Sequence, residues 1–213
     1  MTNLSVQPPS DSRYRPIITL DQGGMADVTL SLVRGPSGFN KLVVLKTMRK
    51  ELAADADLRQ MFLAEGRLSA RLNHANVVQV YEAIDAALPC MVLEYLDGQT
   101  MSALRRALPE KFTLPMQLRV ISDLLVGLHY AHELRDYDGS PLNIVHRDVS
   151  PENVFLTYDG QVTTQSSGPL ARRKSMRPLR RRAWRHRQRI PKGPNQLPRV
   201  VSSALPLARI VDQ

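Results

Sequence analysis

The spacing of the apolar residues changes near Tyr95, and this change limits the folds open to the 213-residue chain. From Ile17 to about Tyr95 the apolar residues alternate with period two in short runs, which is typical of strands with one buried face. Residues 55–72 interrupt these runs with the period of a helix, and Met116 to about Leu134 has the same helical period. We therefore expect an α+β protein whose strands come first and whose helices follow.

Two charged residues stand where the pattern predicts burial. Glu65 lies in the middle of the apolar face of the 55–72 helix, and Lys46 ends the apolar strand Val43-Val44-Leu45. A carboxylate or an ammonium group buried without a partner is costly. Since each charge would compensate the other, we predict an ion pair between Lys46 and Glu65. Alone, Lys46 is equally well explained as a strand lysine whose stem lies on apolar surface.

The long helix carries one apolar stripe on a single face. The stripe consists of Leu118, Ile121, Leu125, Leu128 and His132.

The net charge of +9 belongs to the end of the chain. Of the 29 Lys and Arg residues, 13 follow residue 162, where Asp212 is the single acidic residue. The preceding residues are mildly acidic, so the body of the protein lacks the overall basicity of a nucleic-acid-binding domain. A hydrophobic content of 43% and a charged content of 23% are ordinary for a soluble globular protein.

The cysteine content and the hydropathy of the chain indicate the cellular compartment in which we expect the protein. The single cysteine, Cys90, excludes an intrachain disulfide and lies in an apolar run, so we expect a buried thiol that acts as a small hydrophobe. The first sixteen residues have no apolar signal core, and no apolar run is long enough to cross a bilayer. We expect a cytoplasmic protein without a membrane segment.

The segment from His146 to Asn153 carries the strongest chemical pattern, His-Arg-Asp followed by Asn five residues after the Asp. An Asp at this spacing can accept a proton from an attacking hydroxyl, and the Asn oxygen can ligate Mg²⁺. A charged surface turn is the plainer interpretation. The long helix and Ile144-Val145 that precede the segment favour the catalytic one.

The order of these features resembles that in the eukaryotic-like serine/threonine protein kinases. The sequences of the loops are similar to those of bacterial members. The glycine-containing segment from Leu20 to Val28 resembles the glycine-rich loop that covers ATP, although a simple hairpin turn explains its glycines as well. Asp21 replaces the first glycine of that loop and Ala26 the third. The resemblance covers about residues 17–162.

The resemblance implies the α+β kinase fold, with a small antiparallel β lobe and an incomplete helical lobe, and the composition adds a disordered basic tail. It implies that Asp148 is the catalytic base, that Asn153 is a Mg²⁺ ligand, and that Lys46, held by Glu65, binds phosphates. It places adenine against the backbone of the Met91–Gly98 segment. The contacts to ATP that it implies are made by Leu20, Gly23, Gly24, Val28, Lys46, Glu94 and Leu96. The implied reaction is phosphoryl transfer from ATP to a Ser or Thr hydroxyl of a protein substrate.

Composition and resemblance together predict four segments, and the sequence departs from the family at two points. The segments are a disordered leader (1–16), the first lobe (17–97), a partial second lobe (98–162) and a basic tail of low order (163–213). Ser150 replaces a lysine that contacts the transferred phosphate in many of these kinases. Ser166 stands roughly where the Asp of the Asp-Phe-Gly motif belongs, no Ala-Pro-Glu follows, and the nearest other acid is Asp159. We therefore expect a truncated kinase of low activity, the alternative being a catalytically inactive remnant or pseudokinase.

The tail after residue 162 has three interpretations. An abrupt loss of motifs and an Arg- and Pro-rich composition are what a shift of reading frame near codon 163 would produce. A basic arm that binds nucleic acid through residues 172–192, where Trp184 lies among Lys and Arg, is the second. A solvated extension without a specific role is the third. Each of the three predicts low order for 163–213.

Overall fold

The first half of the chain forms an antiparallel sheet. The computed structural model describes residues 13–165 and, as a short strand, residues 171–172. The five strands of the sheet are β1 (Tyr14–Gln22), β2 (Ala26–Arg34), β3 (Asn40–Met48), β4 (Val80–Ile84) and β5 (Cys90–Glu94). Their spatial order is β1-β2-β3-β5-β4, and every neighbouring pair is antiparallel. The predicted antiparallel β lobe is confirmed.

Two helices follow β3, and the second packs on the sheet. They are α1 (Lys50–Ala53) and α2 (Ala56–Ser69). The side chain of Asp55 accepts hydrogen bonds from the backbone of Asp57 and Leu58, which caps the start of α2. Phe62 of α2 is fully buried against Met91 and neighbouring residues of the sheet. The helix is thereby held at a fixed distance from β3, where Lys46 lies.

The second half is mainly helical, with short strands around the segment from His146 to Asn153, which is called the catalytic-loop segment below. Its elements are β6 (Gly98–Thr100), α3 (Met101–Ala107), α4 (Leu114–Glu133), β7 (Ile144–Val145), β8 (Val154–Thr157), β9 (Val162–Thr164) and β10 (Ala171–Arg172). The strands β6, β8 and β9 form one sheet, and β7 pairs with β10. Gly98 is required at the β6–β8 contact, since a Cβ there would clash with the main-chain oxygen of Leu156.

The face that α4 buries is not the predicted apolar stripe. The buried residues are Val120, Gly127 and Ala131, whereas Leu118, Ile121 and Leu125 are exposed. Gly127 allows the close approach on the buried side, because a Cβ there would lie 2.8 Å from the main-chain oxygen of Asn76.

Among the period-two runs before Tyr95, residues 77–81 are predicted as a strand, but the strand that forms is β4, which begins three residues later. Val77 and Val78 are buried but pair with the end of β9 instead, and the amide of Val78 donates to the oxygen of Thr164 at 2.9 Å. The run of β-branched residues is thus divided between two structures, which hydropathy does not reveal.

The structured body extends beyond both predicted boundaries. β1 begins at Tyr14, inside the predicted leader, and β9 crosses the predicted boundary at residue 162. Low order at 163–164 was the wrong expectation, because antiparallel pairing with β8 and bonds to the 76–78 segment satisfy the backbone of β9 without an apolar run. Likewise β10 pairs with β7. The rest of the tail, including residues 173–192 of the proposed nucleic-acid arm, lies outside the described residues.

Candidate functional site

The predicted ion pair between Lys46 and Glu65 is present. Nζ of Lys46 lies 3.5 Å from Oε1 of Glu65, and the side chains are 15% and 3% exposed. The register of the sheet sets Lys46 directly opposite Val28 on β2 and opposite Met91 on β5. Val28, which ends the glycine-containing segment, and Lys46 are therefore neighbours in the sheet.

The glycine-containing segment is a tight turn between β1 and β2. The amide of Gly23 donates to the oxygen of Ala26 at 3.0 Å, and a Cβ on Gly24 would meet no atom within 4 Å. Leu20 is exposed and Val28 is half-buried. The carboxylate of Asp21 is exposed and accepts a hydrogen bond from the amide of Gln22 at 2.9 Å. The turn leaves space beside Gly24, and Asp21 adds a negative charge close to it.

The end of β5 and the residues that follow it leave the backbone groups of Leu96 available. Leu93 is buried, and Leu96 packs against the same core cluster. Glu94 is fixed from both sides, since its amide donates to the oxygen of Gln79 and its carboxylate accepts from the Gln79 amide at 2.6 Å. Within the described part of the chain, the backbone of Leu96 has no hydrogen-bond partner. A free donor and acceptor at this edge are what an adenine ring requires.

The catalytic-loop segment is held in one conformation by short backbone contacts. Nδ2 of Asn153 donates to the main-chain oxygen of Asp148 at 2.7 Å, and the amide of Asn153 donates to the oxygen of Ser150 at 2.9 Å. Arg147 adopts a left-handed conformation, with φ of 62°. Such a conformation typically costs about 1–3 kcal/mol in a non-glycine residue, so the surrounding contacts must maintain it.

His146 ties this segment to the residues after β9. Its Nε2 lies 3.1 Å from the main-chain oxygen of Gln165 and 3.1 Å from Oγ1 of Thr164. The carbonyl only accepts, so Nε2 carries the proton and Nδ1 is left to accept from the amide of Asp148 at 3.4 Å. Burial lowers the pKa of His146, which favours this neutral form. The amide of Asp148 also donates to the main-chain oxygen of His146 at 2.9 Å, so the backbone and the imidazole of His146 together orient the backbone of Asp148.

A small cavity is lined both by the Lys46–Glu65 pair and by His146 of the catalytic-loop segment. Its volume is about 30 Å³, and Lys46, Glu65, Leu93, His146 and Thr164 are among its lining residues. The fold therefore brings the predicted phosphate-binding pair and the start of the catalytic-loop segment to the lining of one cavity. Asp148 and Asn153 contact each other directly.

The described residues fit a nucleotide better than they fit a complete magnesium site. Because Nδ2 of Asn153 is the donor to Asp148, its Oδ1 is left for a cation. Among residues 13–165, no group of three His, Cys, Asp or Glu side chains could hold a metal ion. Asp159 is exposed in the turn beyond β8, where it accepts from the hydroxyl of Thr157, so it lies at the opposite end of that strand from Asn153. Ser166 lies outside the described residues.

Three residues of this region were not predicted from the sequence. Thr164 and Gln165 contact His146, and the oxygen of Asn76 accepts from the amide of Thr164 at 2.9 Å. Their polar, unpatterned stretch resembles a loop or tail. For Thr164 and Gln165, the number of residues that separate them from Asn153 is the one signal that could have predicted their position.

Comparisons with known proteins agree with this geometry. Residues 17–165 match the family described as protein kinase domain. The chain is 43% identical over 154 residues to the tyrosine-protein kinase MasK of Myxococcus xanthus, covering 70% of this chain and 24% of MasK. It is 34% identical over 162 residues to the serine/threonine-protein kinase PknL of Mycobacterium tuberculosis, covering 74% of this chain and 37% of PknL. The chain thus spans about a quarter to a third of the length of these relatives.

A solved structure shows the same fold. A double-mutant form of the Mycobacterium tuberculosis PknI kinase domain superposes with a TM-score of 0.60 at 25% identity, covering 73% of this chain and 60% of that one. None of the helices in the described residues is long and apolar enough to span a membrane.

Proposed function

Because this chain belongs to the protein kinase domain family, we propose that it binds ATP between its sheet and its catalytic-loop segment. The observation that supports this most directly is the Lys46–Glu65 pair, a nearly buried ammonium group held by a buried carboxylate. A lysine so placed offers a fixed positive charge to the phosphates. Val28 and the turn at Gly23 and Gly24 form the roof, and Leu96 offers its free backbone groups to adenine.

For the reaction, we propose phosphoryl transfer to a Ser or Thr hydroxyl of a protein, as the name of PknL suggests. Asp148 is the base that accepts the hydroxyl proton, and His146 orients it. In this reaction Mg²⁺ supplies charge neutralisation on the phosphates, and Asn153 is the ligand we assign to it. A hydroxyl at Ser166 is a poor ligand beside a carboxylate, so we expect slow transfer. An ATP-dependent reaction and a single cysteine both fit the cytoplasm as its compartment.

Binding of ATP without transfer is the second candidate. It is favoured by the lack of an acidic cluster among the described residues, which leaves Asn153 as the lone assigned metal ligand.

Equilibrium binding of ATP, with and without Mg²⁺, tests the proposal. We expect Lys46→Met to weaken binding by about tenfold, a typical loss for a charge-assisted hydrogen bond. The matched control is Lys41→Met, which removes an exposed lysine from the same strand and should leave affinity unchanged. Equal affinity in Lys46→Met and the unaltered chain, or no binding at all, would refute the proposed site.

Transfer to a mixed pool of protein substrates then separates the two candidates. Radiolabel appearing on Ser or Thr, and lost in Asp148→Asn while ATP affinity persists, supports the kinase. Label on Tyr would contradict the proposed acceptor and agree with the name of MasK. ATP binding with no label on any residue supports the non-catalytic candidate.

A further inference from the structure

Arg59 of α2 binds the turn that joins β4 to β5. Its Nη2 atom forms an ion pair with the carboxylate of Asp85 and donates to the main-chain oxygen of Ala86 at 2.6 Å. Its Nη1 atom donates to the main-chain oxygen of Ala87 at 3.4 Å. The guanidinium group is thus bonded to three consecutive residues of one turn, and the Arg59 side chain is only 25% exposed. The fixed fork of donors in a guanidinium suits such a set of acceptors.

The same turn is bound to the end of β3. The main-chain oxygen of Pro89, the last residue before β5, accepts a hydrogen bond from the amide of Met48 at 2.8 Å. Met48 lies two residues beyond Lys46 on β3. Through this turn, Arg59 therefore attaches α2 to the part of the sheet that carries Lys46.

A second contact on the same side of α2 is steric. Gly66 follows Arg59 by seven residues, which is two helical turns less about 20°, so both residues face the β4–β5 hairpin. A Cβ on Gly66 would lie 2.9 Å from the Cβ of Ala83 on β4 and 3.2 Å from the side chain of Met91 on β5. The hairpin therefore holds α2 at two points roughly 10 Å apart, one by close packing and one by hydrogen bonds.

The position of Glu65 depends on the rotation of α2 about its own axis. The burial of Phe62 sets the depth of the helix, but apolar burial is non-directional and does not fix that rotation. Glu65 lies about a third of a turn round the helix from Arg59, so a rotation on the Gly66 contact would move its carboxylate relative to Lys46. The distance of 3.5 Å between Nζ and Oε1 is already long for a hydrogen bond. A displacement of about 1 Å would therefore break it.

We infer that Arg59 is a positioning residue, which fixes α2 on the turn at residues 85–87 so that Glu65 meets Lys46. All the residues involved belong to β3, α2 and the β4–β5 hairpin, within the first lobe. The importance of Arg59 for ATP binding rests on the proposed function, whereas its effect on the contact between Lys46 and Glu65 does not.

Acylation of the full chain by a water-soluble, amine-reactive ester tests this inference without ATP, with the rate at each lysine read by mass spectrometry. Because the carboxylate of Glu65 contacts Nζ of Lys46, its displacement should speed acylation there. We expect Arg59→Met to raise the rate at Lys46 by about threefold or more, as for coupled neighbours. Arg67→Met is the matched control, since it removes an exposed arginine from the same helix and should leave the rate unchanged. The exposed Lys41 of β3 is the internal reference.

Two further variants link the effect to the described geometry. Asp85→Asn weakens the same contact from the side of the turn without altering α2, so it should also speed acylation at Lys46. In a chain that already carries Glu65→Leu, Arg59→Met should add nothing, because the carboxylate to be positioned is absent. An unchanged rate at Lys46 in both Arg59→Met and Asp85→Asn would overturn the inference. An equal increase with and without Glu65→Leu would also overturn it, since that indicates a general loosening of the lobe.

Equilibrium binding of ATP separates this inference from the proposed function. Arg59→Met should weaken binding by about threefold, less than Lys46→Met does, because Arg59 acts through Glu65. Unchanged affinity in Arg59→Met, when the unaltered chain binds ATP, would overturn the positioning role. If acylation at Lys46 responds as expected and the unaltered chain binds no ATP, the proposed function fails and the role of Arg59 in placing Glu65 is supported.

Discussion

Nζ of Lys46 lies 3.5 Å from Oε1 of Glu65, joining β3 to α2 within a nearly buried pair. Each side chain is placed by its own element: the sheet register sets Lys46 beside Val28, and the burial of Phe62 sets the depth of α2. The pair is thus a consequence of packing as much as of charge. Its contribution to stability can be measured separately from its proposed role in ATP binding.

We predict that Glu65→Leu lowers the free energy of unfolding by about 3 kcal/mol, because it leaves the ammonium group of Lys46 without its carboxylate. Adding Lys46→Met to Glu65→Leu should recover much of that loss, since an apolar pair needs no compensation. Urea denaturation measures both. Glu51→Leu breaks the exposed pair with Arg49 and should have little effect. Additive losses in the double variant would contradict the proposed coupling.

Acidification should destabilise the fold through His146. Burial lowers its pKa from the ordinary value of 6.5, so the unfolded chain takes up the proton first. The free energy of unfolding should therefore be fully retained above about pH 6.5 and fall as the pH drops towards the lowered pKa. The pH dependence of urea midpoints checks this. His146→Gln should flatten the profile in this range, whereas the exposed His129→Gln should not, and an unchanged profile in His146→Gln would refute the assignment.

Replacement by valine should have different effects on stability at Thr29 and at Thr164. Oγ1 of Thr29 is buried and has no hydrogen-bond partner within the described residues, so Thr29→Val should be neutral or stabilising. Oγ1 of Thr164 lies 3.1 Å from Nε2 of His146, so Thr164→Val should cost about 1 kcal/mol. Thermal unfolding compares the two variants. Equal effects would show that the Thr164 contact contributes nothing.

Gly127→Ala should destabilise the contact between α4 and the segment at Asn76. The added Cβ would lie 2.8 Å from a main-chain oxygen, which has little freedom to move. We expect a net loss of about 1 kcal/mol or more, although alanine by itself favours a helix. Gly24→Ala is the control, since its Cβ would meet nothing within 4 Å. A gain of stability in Gly127→Ala, measured by urea denaturation, would contradict the described packing.

Much of the fold follows from hydrophobic spacing. The period-two runs became β1, β2, β3 and β5, and the two helical periods became α2 and α4. The position of β4 did not follow, because Val77 and Val78 pair with β9, a strand distant in sequence. The buried face of α4 could not be predicted from the spacing either. Small residues, Gly127 and Ala131, are buried there because the backbones approach closely, and a hydrophobicity pattern does not record such an approach.

The burial of Cys90 was also predicted correctly. The thiol is fully buried, and that burial raises the pKa of Cys90 to about 11, so it stays protonated.

By itself, the sequence identified the residues of the candidate site. The Asp and Asn at their fixed spacing, the lysine that ends an apolar strand and the glutamate on an apolar helical face are all local patterns, and each follows from the residues at hand. Only the tertiary structure decided how they are supported. The bonds from Gln165 and Thr164 to His146, and from Asn76 to Thr164, join segments far apart in the chain. Such bonds form only after the backbone has folded, since their polar partners carry no periodic signal.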